Sequence, residues 1–302
     1  MLEPQLGMSM HNLLTTTTQA EGLGFGYLFR SDHLLPTDNR RGIDSPECWT
    51  SLGAIAASTN RIKFGPMVTP VGFRNPALLA RMASTLHSFS EGRLQLALGI
   101  GWYEPEYKAN GYGFPEFKVR REQFEEGLVV ILSMLTEGRV DFDGKHYSAH
   151  TDCLPRPSGR IHLILGGRGR TIVRAAARSA DEWNTLVSPL EDFQRAKALL
   201  DESVLERQVE ISEMGPYLLG KSRNELEANA ATQLRKLGQS GSPYDLIKRL
   251  KSRGAFCGTL DEFSQLLSKK LGVGIAKFYF QTLVPENHTM TELLSDWIRK
   301  TS

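Results

Sequence analysis

A carboxylate and an imidazole stand side by side at Asp32-His33, just after the apolar run Phe25-Gly26-Tyr27-Leu28-Phe29. An imidazole titrates near neutrality, so it can give or take a proton at physiological pH. A neighbouring carboxylate can orient it or contact a ligand. The plainer alternative is a turn capped by Asp32, with His33 an ordinary polar residue. Three more clusters follow strand-like runs: Met67-Val68-Thr69-Pro70, Gly99-Ile100-Gly101-Trp102 and Gly166-Gly167-Arg168-Gly169. Glycines let a ligand or another backbone approach closely. The last cluster precedes a helix-like segment, so its amides and the helix N-terminus suit a phosphate. Arg168, Arg170 and Arg174 add positive charge there. Trp102, Tyr103 and Trp183 sit beside these ends and could wall a planar ring, the alternative being simple packing.

These clusters need a scaffold that brings them to one place. Apolar spacing predicts helices over 11–23, from Ser45-Pro46 onward, from Asn75-Pro76 onward, over 118–136, 171–179 and 193–204, and over 293–298. In the helix after Asn75, Leu79, Met82, Leu86 and Phe89 form the stripe expected to face inward. Ser222-x-x-Glu225 and Thr259-x-x-Glu262 read as capping boxes, and Ser242-Pro243 opens a further helix. Strands are expected over 1–5 (very short), 25–29, 61–68, 94–98, 161–165, 183–187, 211–219 (interrupted by Gly215-Pro216) and 275–283. A small hairpin is expected around Asp143-Gly144. About eight strands alternating with helices point to a single α/β domain, 1–302, built as a (β/α)8 TIM-like barrel. In such barrels the site lies at the strand carboxyl ends. An open doubly wound sheet is the runner-up, but its GxGxxG after the first strand is absent. The loops after the second, fourth and seventh strands are long enough for a lid; the first of them contains Pro36, Asp38 and Asn39.

The chain has 302 residues, 40% hydrophobic and 23% charged, an ordinary globular composition. Its formal charge of +2 is too near neutral to point to nucleic acid. Cys48, Cys153 and Cys257 are odd in number and lack any CxxC spacing. They read as reduced thiols of a cytoplasmic protein, with no disulfide framework. His11, His87, His146, His150, His162 and His288 show no ligand-like spacing, so no metal is expected. No apolar run is long enough to span a bilayer, and no signal peptide is expected. Nucleophile-elbow and P-loop motifs are absent.

The run Phe29-Arg30-Ser31-Asp32-His33 resembles the second-strand motif of the luciferase-like monooxygenase superfamily. So do Thr59-Asn60-Arg61-Ile62-Lys63-Phe64-Gly65 with Val68-Thr69-Pro70, and Arg74-Asn75-Pro76. Glu91-Gly92-Arg93 before Gly99-Ile100-Gly101-Trp102-Tyr103-Glu104-Pro105-Glu106-Tyr107 matches as well. Ile164-Leu165-Gly166-Gly167 and Ala180-Asp181-Glu182-Trp183-Asn184 carry the likeness into the second half. It runs from about Leu2 to Leu283. The Glu3-Pro4-Gln5 start and the Arg-Ser-Asp-His run look most like the branch that uses the deazaflavin coenzyme F420.

The resemblance implies a flavin or deazaflavin at the strand carboxyl ends. His33 is then the proton-handling residue, with Asp32 orienting it or touching the cofactor. A non-proline cis peptide near Pro66-Met67-Val68 would support the ring, with Met67, Val68 and Thr69 around it. Gly101 and Trp102 would line the ring or the substrate pocket. Gly166, Gly167, Arg168 and Gly169 would hold the cofactor phosphate, flanked by Trp183 and Asn184. Trp102 stands where the sugar-phosphate dehydrogenases of the superfamily hold a glutamate, and their lysine is missing near 186–190. A different small-molecule substrate is therefore implied. Met1-Leu2 is all that precedes Glu3, so the first strand is shortened or part of it lies outside this sequence. The leading expectation is an F420-dependent oxidoreductase acting as a homodimer. An FMN-dependent monooxygenase of the same fold and a non-catalytic flavin-binding homologue are the alternatives.

Overall fold

The computed structural model describes residues 1–37, 40, 42–204, 207–283 and 288–301. Asp38 and Asn39 of the expected lid loop lie outside the described residues. Strands β1 (Tyr27–Arg30), β2 (Lys63–Pro66) and β3 (Thr69–Pro70) come first. β4 (Gln95–Gly99) follows, then the antiparallel hairpin β5 (Arg139–Asp143) and β6 (Ser148–Asp152). β7 (His162–Gly166), β8 (Glu182–Leu186), β9 (Glu210–Gly220), β10 (Phe256–Thr259) and β11 (Lys277–Gln281) complete the strands. Helices α1 (Met10–Gly22), α2 (Cys48–Ser58), α3 (Pro76–Phe89), α4 (Glu104–Ala109) and α5 (Phe117–Glu137) alternate with the first strands. α6 (Arg170–Ser179), α7 (Leu190–Ser203), α8 (Arg223–Lys236), α9 (Pro243–Ser252), α10 (Leu260–Gly272) and α11 (His288–Thr301) follow.

The staves run parallel around a barrel. β1 pairs with β2, β4 with β7, β7 with β8, β8 with β9, and β9 with β11. A single bridge, Phe64 to Leu94, joins β2 to β4. Leu2 bridges Arg30 on one side and Thr282 on the other, between β1 and the end of β11. Its amide donates to the Phe29 carbonyl at 2.8 Å, and the Ser31 amide donates to its carbonyl at 3.1 Å. The Thr282 amide donates to Met1 at 2.9 Å. The barrel interior is filled by Phe29, Met67, Ala97, Ile164, Met214 and Tyr279. The larger apolar layer lies between the staves and α1–α7.

Several local expectations change. The residue capping α2 is Glu47, whose side chain accepts the Thr50 amide, and not Ser45. α3 does begin at Asn75-Pro76, with Asn75 accepting the Ala77 and Leu78 amides. Leu79 of the expected stripe is fully buried and Met82 and Leu86 are half-buried against the core, while Phe89 turns outward at 62% exposure. The small residues Ala80, Ala83 and Ser84 share the buried face with Leu79 and His87. β9 is continuous through Gly215-Pro216. It changes partner there, from β11 up to Pro216 to β10 from Tyr217 onward. Beyond that point β9 and β10 build a second apolar cluster with α8–α11. Thr259 and Glu262 form a full capping box. At Ser222 only half of one forms, because Glu225 accepts from the Lys221 amide instead.

The peptide between Met67 and Val68 is cis, where the resemblance implied. Val68 is wedged between two staves. A Cβ on Gly99 would lie 2.5 Å from its side chain, and one on Gly166 would overlap it too. Neither carbon can be added without moving the valine. Gly99→Ala and Gly166→Ala are each expected to cost about 1–3 kcal/mol, the usual range for overpacking. Urea unfolding of the two variants checks this, and an unchanged midpoint would contradict the wedge.

Candidate active site

The carboxyl ends of the staves open into a cavity of about 990 Å³. Asp32, His33, Met67, Val68, Gly101, Trp102, Gly166, Gly167, Arg168, Gly169 and Asn184 all line it. Thr69 and Trp183 do not. Both are buried behind the wall. The Trp183 indole donates to the Gly167 carbonyl at 2.7 Å, and the Gly167 amide donates to the Asn184 carbonyl at 2.9 Å. The glycine loop is thus pinned from both sides at a residue with φ of 138°. The Asn184 side chain itself donates to Ser212 Oγ at 2.8 Å. Gly169 caps α6 without a side-chain hydrogen bond, so the first amides of that helix face the loop unoccupied by a cap.

Asp32 does not touch His33. It accepts two hydrogen bonds from Arg74, at 2.6 and 3.1 Å, and one from the Thr69 hydroxyl at 2.8 Å. Thr69 in turn accepts from the Trp49 indole at 3.0 Å. Arg74 also pairs with Glu47 at the start of α2. Burial pushes the Asp32 carboxyl up, with Arg74 and Thr69 opposing, and the net direction is upward. The same ion pair holds Arg74 above its ordinary value. Asp32 therefore clamps the loop after β1 to α2 and β3.

The residue that orients His33 is Glu106. Its carboxylate lies 2.9 and 3.1 Å from His33 Nδ1 and also accepts the Leu34 amide at 3.0 Å. Glu106 is buried on α4, a helix tied into the wall by Tyr107. Gly101 makes room for Tyr107, whose hydroxyl occupies the space a Cβ would need. With Nδ1 engaged, Nε2 is the ring nitrogen left for the cavity. Burial would lower the His33 pKa, but the hydrogen bond and charge of Glu106 outweigh it, and the net direction is upward. Trp102, 65% exposed, stands edge-on to His33 with ring centres 5.8 Å apart.

A second buried carboxylate, Glu3, also lines the cavity. It accepts from Gln5 at 2.5 Å and Gln281 at 2.6 Å, and Gln5 accepts from Ser31 at 2.6 Å. The motifs that contain Glu106, Glu3 and Arg74 assign them no role. Their partners lie up to 278 residues away, so no local spacing announces the pairings. Among the described residues one group has metal-like spacing, His162, Glu182 and Glu210. It lies at the amino-terminal ends of β7, β8 and β9. Lys277 already pairs with both carboxylates, and the Tyr279 hydroxyl donates to Glu182.

Removing the Glu106 charge leaves only the smaller contributions of Glu3 and Asp32 against burial at His33. Glu106→Gln is therefore expected to lower the His33 pKa relative to the wild type. The folded imidazolium would then be lost at lower pH than in the wild type. An NMR pH titration of the imidazole protons reads this directly, and an unmoved midpoint would contradict the assignment.

A parallel barrel with a deep cavity at its carboxyl mouth, a histidine–carboxylate pair on one wall and a glycine cradle on another defines an α/β barrel of the ligand-binding, chemistry-bearing kind. The chain belongs to the luciferase-like monooxygenase family, whose model matches residues 2–268. It is 35% identical over 173 residues to an F420-dependent glucose-6-phosphate dehydrogenase of Intrasporangium calvum, covering 56% of this chain and 52% of that one. It is 39% identical over 140 residues to a pyrimidine monooxygenase of Agrobacterium fabrum, covering 45% and 38%. The chain thus spans about half the length, or less, of these curated relatives. The fold matches that of the coenzyme F420-dependent tetrahydromethanopterin reductase from Methanopyrus kandleri, with a TM-score of 0.75 at 19% identity over 95% of this chain and 94% of that one. No helix among the described residues is long and apolar enough to cross a membrane.

Proposed function

We propose that the protein is an F420-dependent oxidoreductase that moves a hydride between the deazaflavin and a small organic substrate. The observation that carries this reading is the His33–Glu106 pair, set in the same cavity as the Val68 wedge and the glycine loop. These residues fit the group. Val68, held between Gly99 and Gly166, offers an apolar surface for a planar ring. The Gly166–Gly169 loop, the uncapped start of α6 and Arg168 suit a phosphate. When bound, the deazaflavin supplies the ring carbon that gives or accepts the hydride. His33 handles the accompanying proton at Nε2, and Glu106 fixes the ring and favours its charged form. The upward shift keeps His33 in its charged form to higher pH, so a proton is available for substrate reduction. Trp102 screens the mouth and cannot donate a proton as the glutamate of the sugar-phosphate enzymes does. The reading therefore does not include a sugar phosphate as substrate.

An FMN-dependent monooxygenase is the second reading, favoured by the pyrimidine monooxygenase among the relatives. Incubation with reduced F420 and a panel of small carbonyl and unsaturated compounds separates the two. Return of the oxidised deazaflavin absorbance without oxygen supports the proposal. Turnover only with reduced FMN and oxygen would overturn it. A homodimer and a cytoplasmic location belong to the same proposal; the location is supported by three buried, unbridged cysteines.

A further inference from the structure

The cavity has two unlike sides. Toward the ends of β7, β8 and β9 it is lined by charged residues, Arg168, Asp192 and Arg253. Toward β1, β3 and β4 it is lined by Leu6, Pro70, Ile100, Trp102 and Phe117. The carboxylates on this second side are already engaged. Asp32 accepts from Arg74 and Thr69, Glu106 pairs with His33, and Glu3 accepts from two glutamine amides. A charged group placed there would lose its water and displace an existing partner. An uncharged group would bury its surface at no such cost.

Two large aromatic side chains stand open on that side. Trp102 is 65% exposed and Phe117, at the start of α5, is 56% exposed. Exposed apolar surface on the rim of a cavity marks a place for a ligand. Trp102 is also firmly seated. The residue before it, Gly101, has φ of 86°, and the Tyr107 hydroxyl fills the space a Cβ would take. The Trp102 carbonyl accepts the Glu104 amide at 3.1 Å, where α4 begins. The same short helix carries Glu106, which holds His33. One element therefore sets both the indole and the imidazole, and fixes their ring centres 5.8 Å apart. A group resting on Trp102 is held at a short, constant distance from His33. An aliphatic side chain would be enough to bury an aliphatic group. An indole adds a flat face and edge on which a second aromatic ring packs offset or edge-on.

We infer that Trp102 is a specificity-determining platform, which selects substrates carrying an uncharged aromatic group within a few bonds of the carbon that is reduced beside His33. The inference rests on the oxidoreductase reading above and names the substrate class that reading leaves open. The competing use of an exposed indole is to hold a cation against its face.

The test is a calorimetric titration of the full chain, loaded with oxidised F420, with four methyl ketones that share one reacting group. They are 2-butanone, 4-cyclohexyl-2-butanone, 4-phenyl-2-butanone and 4-trimethylammonio-2-butanone. Both partners are oxidised, so binding is read without turnover. The phenyl ketone is expected to bind about two- to tenfold more tightly than the cyclohexyl ketone, the scale of one aromatic pair beyond its burial. Both should bind more tightly than 2-butanone. Trp102→Phe should keep the phenyl preference, and Trp102→Ala should remove it. With reduced F420 the same order should appear in KM. The wild-type comparison needs no variant and is independent of any folding defect. Equal binding of the phenyl and cyclohexyl ketones, binding of none of the four, or a phenyl preference that survives in Trp102→Ala would overturn the inference. Tighter binding of the ammonium ketone than of the phenyl ketone would overturn it in favour of a cation. If the protein loads with FMN and not with F420, the cofactor reading falls, and the same titration of the FMN complex still decides the role of Trp102.

Discussion

Replacing His33 with asparagine is expected to lower kcat by about 10²–10⁴-fold, the usual worth of a positioned acid or base. The deazaflavin affinity should stay close to that of the wild type. His33 lines the cavity, but the residues proposed to hold the cofactor are Val68 on one side and the glycine loop on the other. Glu106 engages Nδ1 of His33, so the lost function is the proton at Nε2. The loss should also be pH-dependent in its complement. In the reducing direction wild-type activity falls as pH rises through the raised His33 pKa, and the asparagine variant loses that limb. Steady-state kinetics across pH, with cofactor binding measured separately, check both halves. Loss of cofactor binding with an unchanged pH profile would mean that His33 is only a wall residue.

Arg74→Leu should produce the second large effect, on stability. It would leave Asp32 buried without its cation, and breaking a buried pair by removing one partner costs about 3–5 kcal/mol. Asp32 is 2% exposed, and Arg74 is only slightly more open. The sign with pH follows from the pair. Arg74 stabilises the fold only while Asp32 is ionised, so its contribution is present at neutral pH and lost as pH falls through the Asp32 pKa. Without Arg74 that carboxyl is pushed further up by burial. The gap between variant and wild type should therefore be widest at neutral pH and narrow on acidification. Urea unfolding at two pH values measures it. A gap that is small or independent of pH would contradict the ion-pair account.

The barrel was legible where a pattern is local. Asn75-Pro76 and Thr259-x-x-Glu262 announce helix starts because a side chain two or three residues away satisfies the backbone. The glycine clusters announced the mouth because close approach leaves glycine as the fitting residue. The pattern failed where distant packing decides. On α3 periodicity places Leu79, Met82 and Leu86 inward correctly, but not Phe89, which is exposed, nor the buried Ala80, Ala83 and Ser84. Gly215-Pro216 looked like a break, but β9 changes partners at that point and Val187 fills the space beside Gly215. The site was legible as a set of strand ends. Its pairings were not. Glu106 reaches His33 across 73 residues and Arg74 reaches Asp32 across 42, and sequence adjacency points only to Asp32 as a carboxylate near His33. Both residues line the cavity in the loop after β1, but Asp32 is held by Arg74 and Thr69 and His33 by Glu106.

The central claim is that this cavity is built for a deazaflavin. The direct measurement is an equilibrium fluorescence titration of the purified protein with F420 and, separately, with FMN. The proposed reading predicts tight, saturable binding of F420 and much weaker binding of FMN. Tight FMN binding with weak F420 binding would contradict it and turn the same cavity toward flavin monooxygenase chemistry.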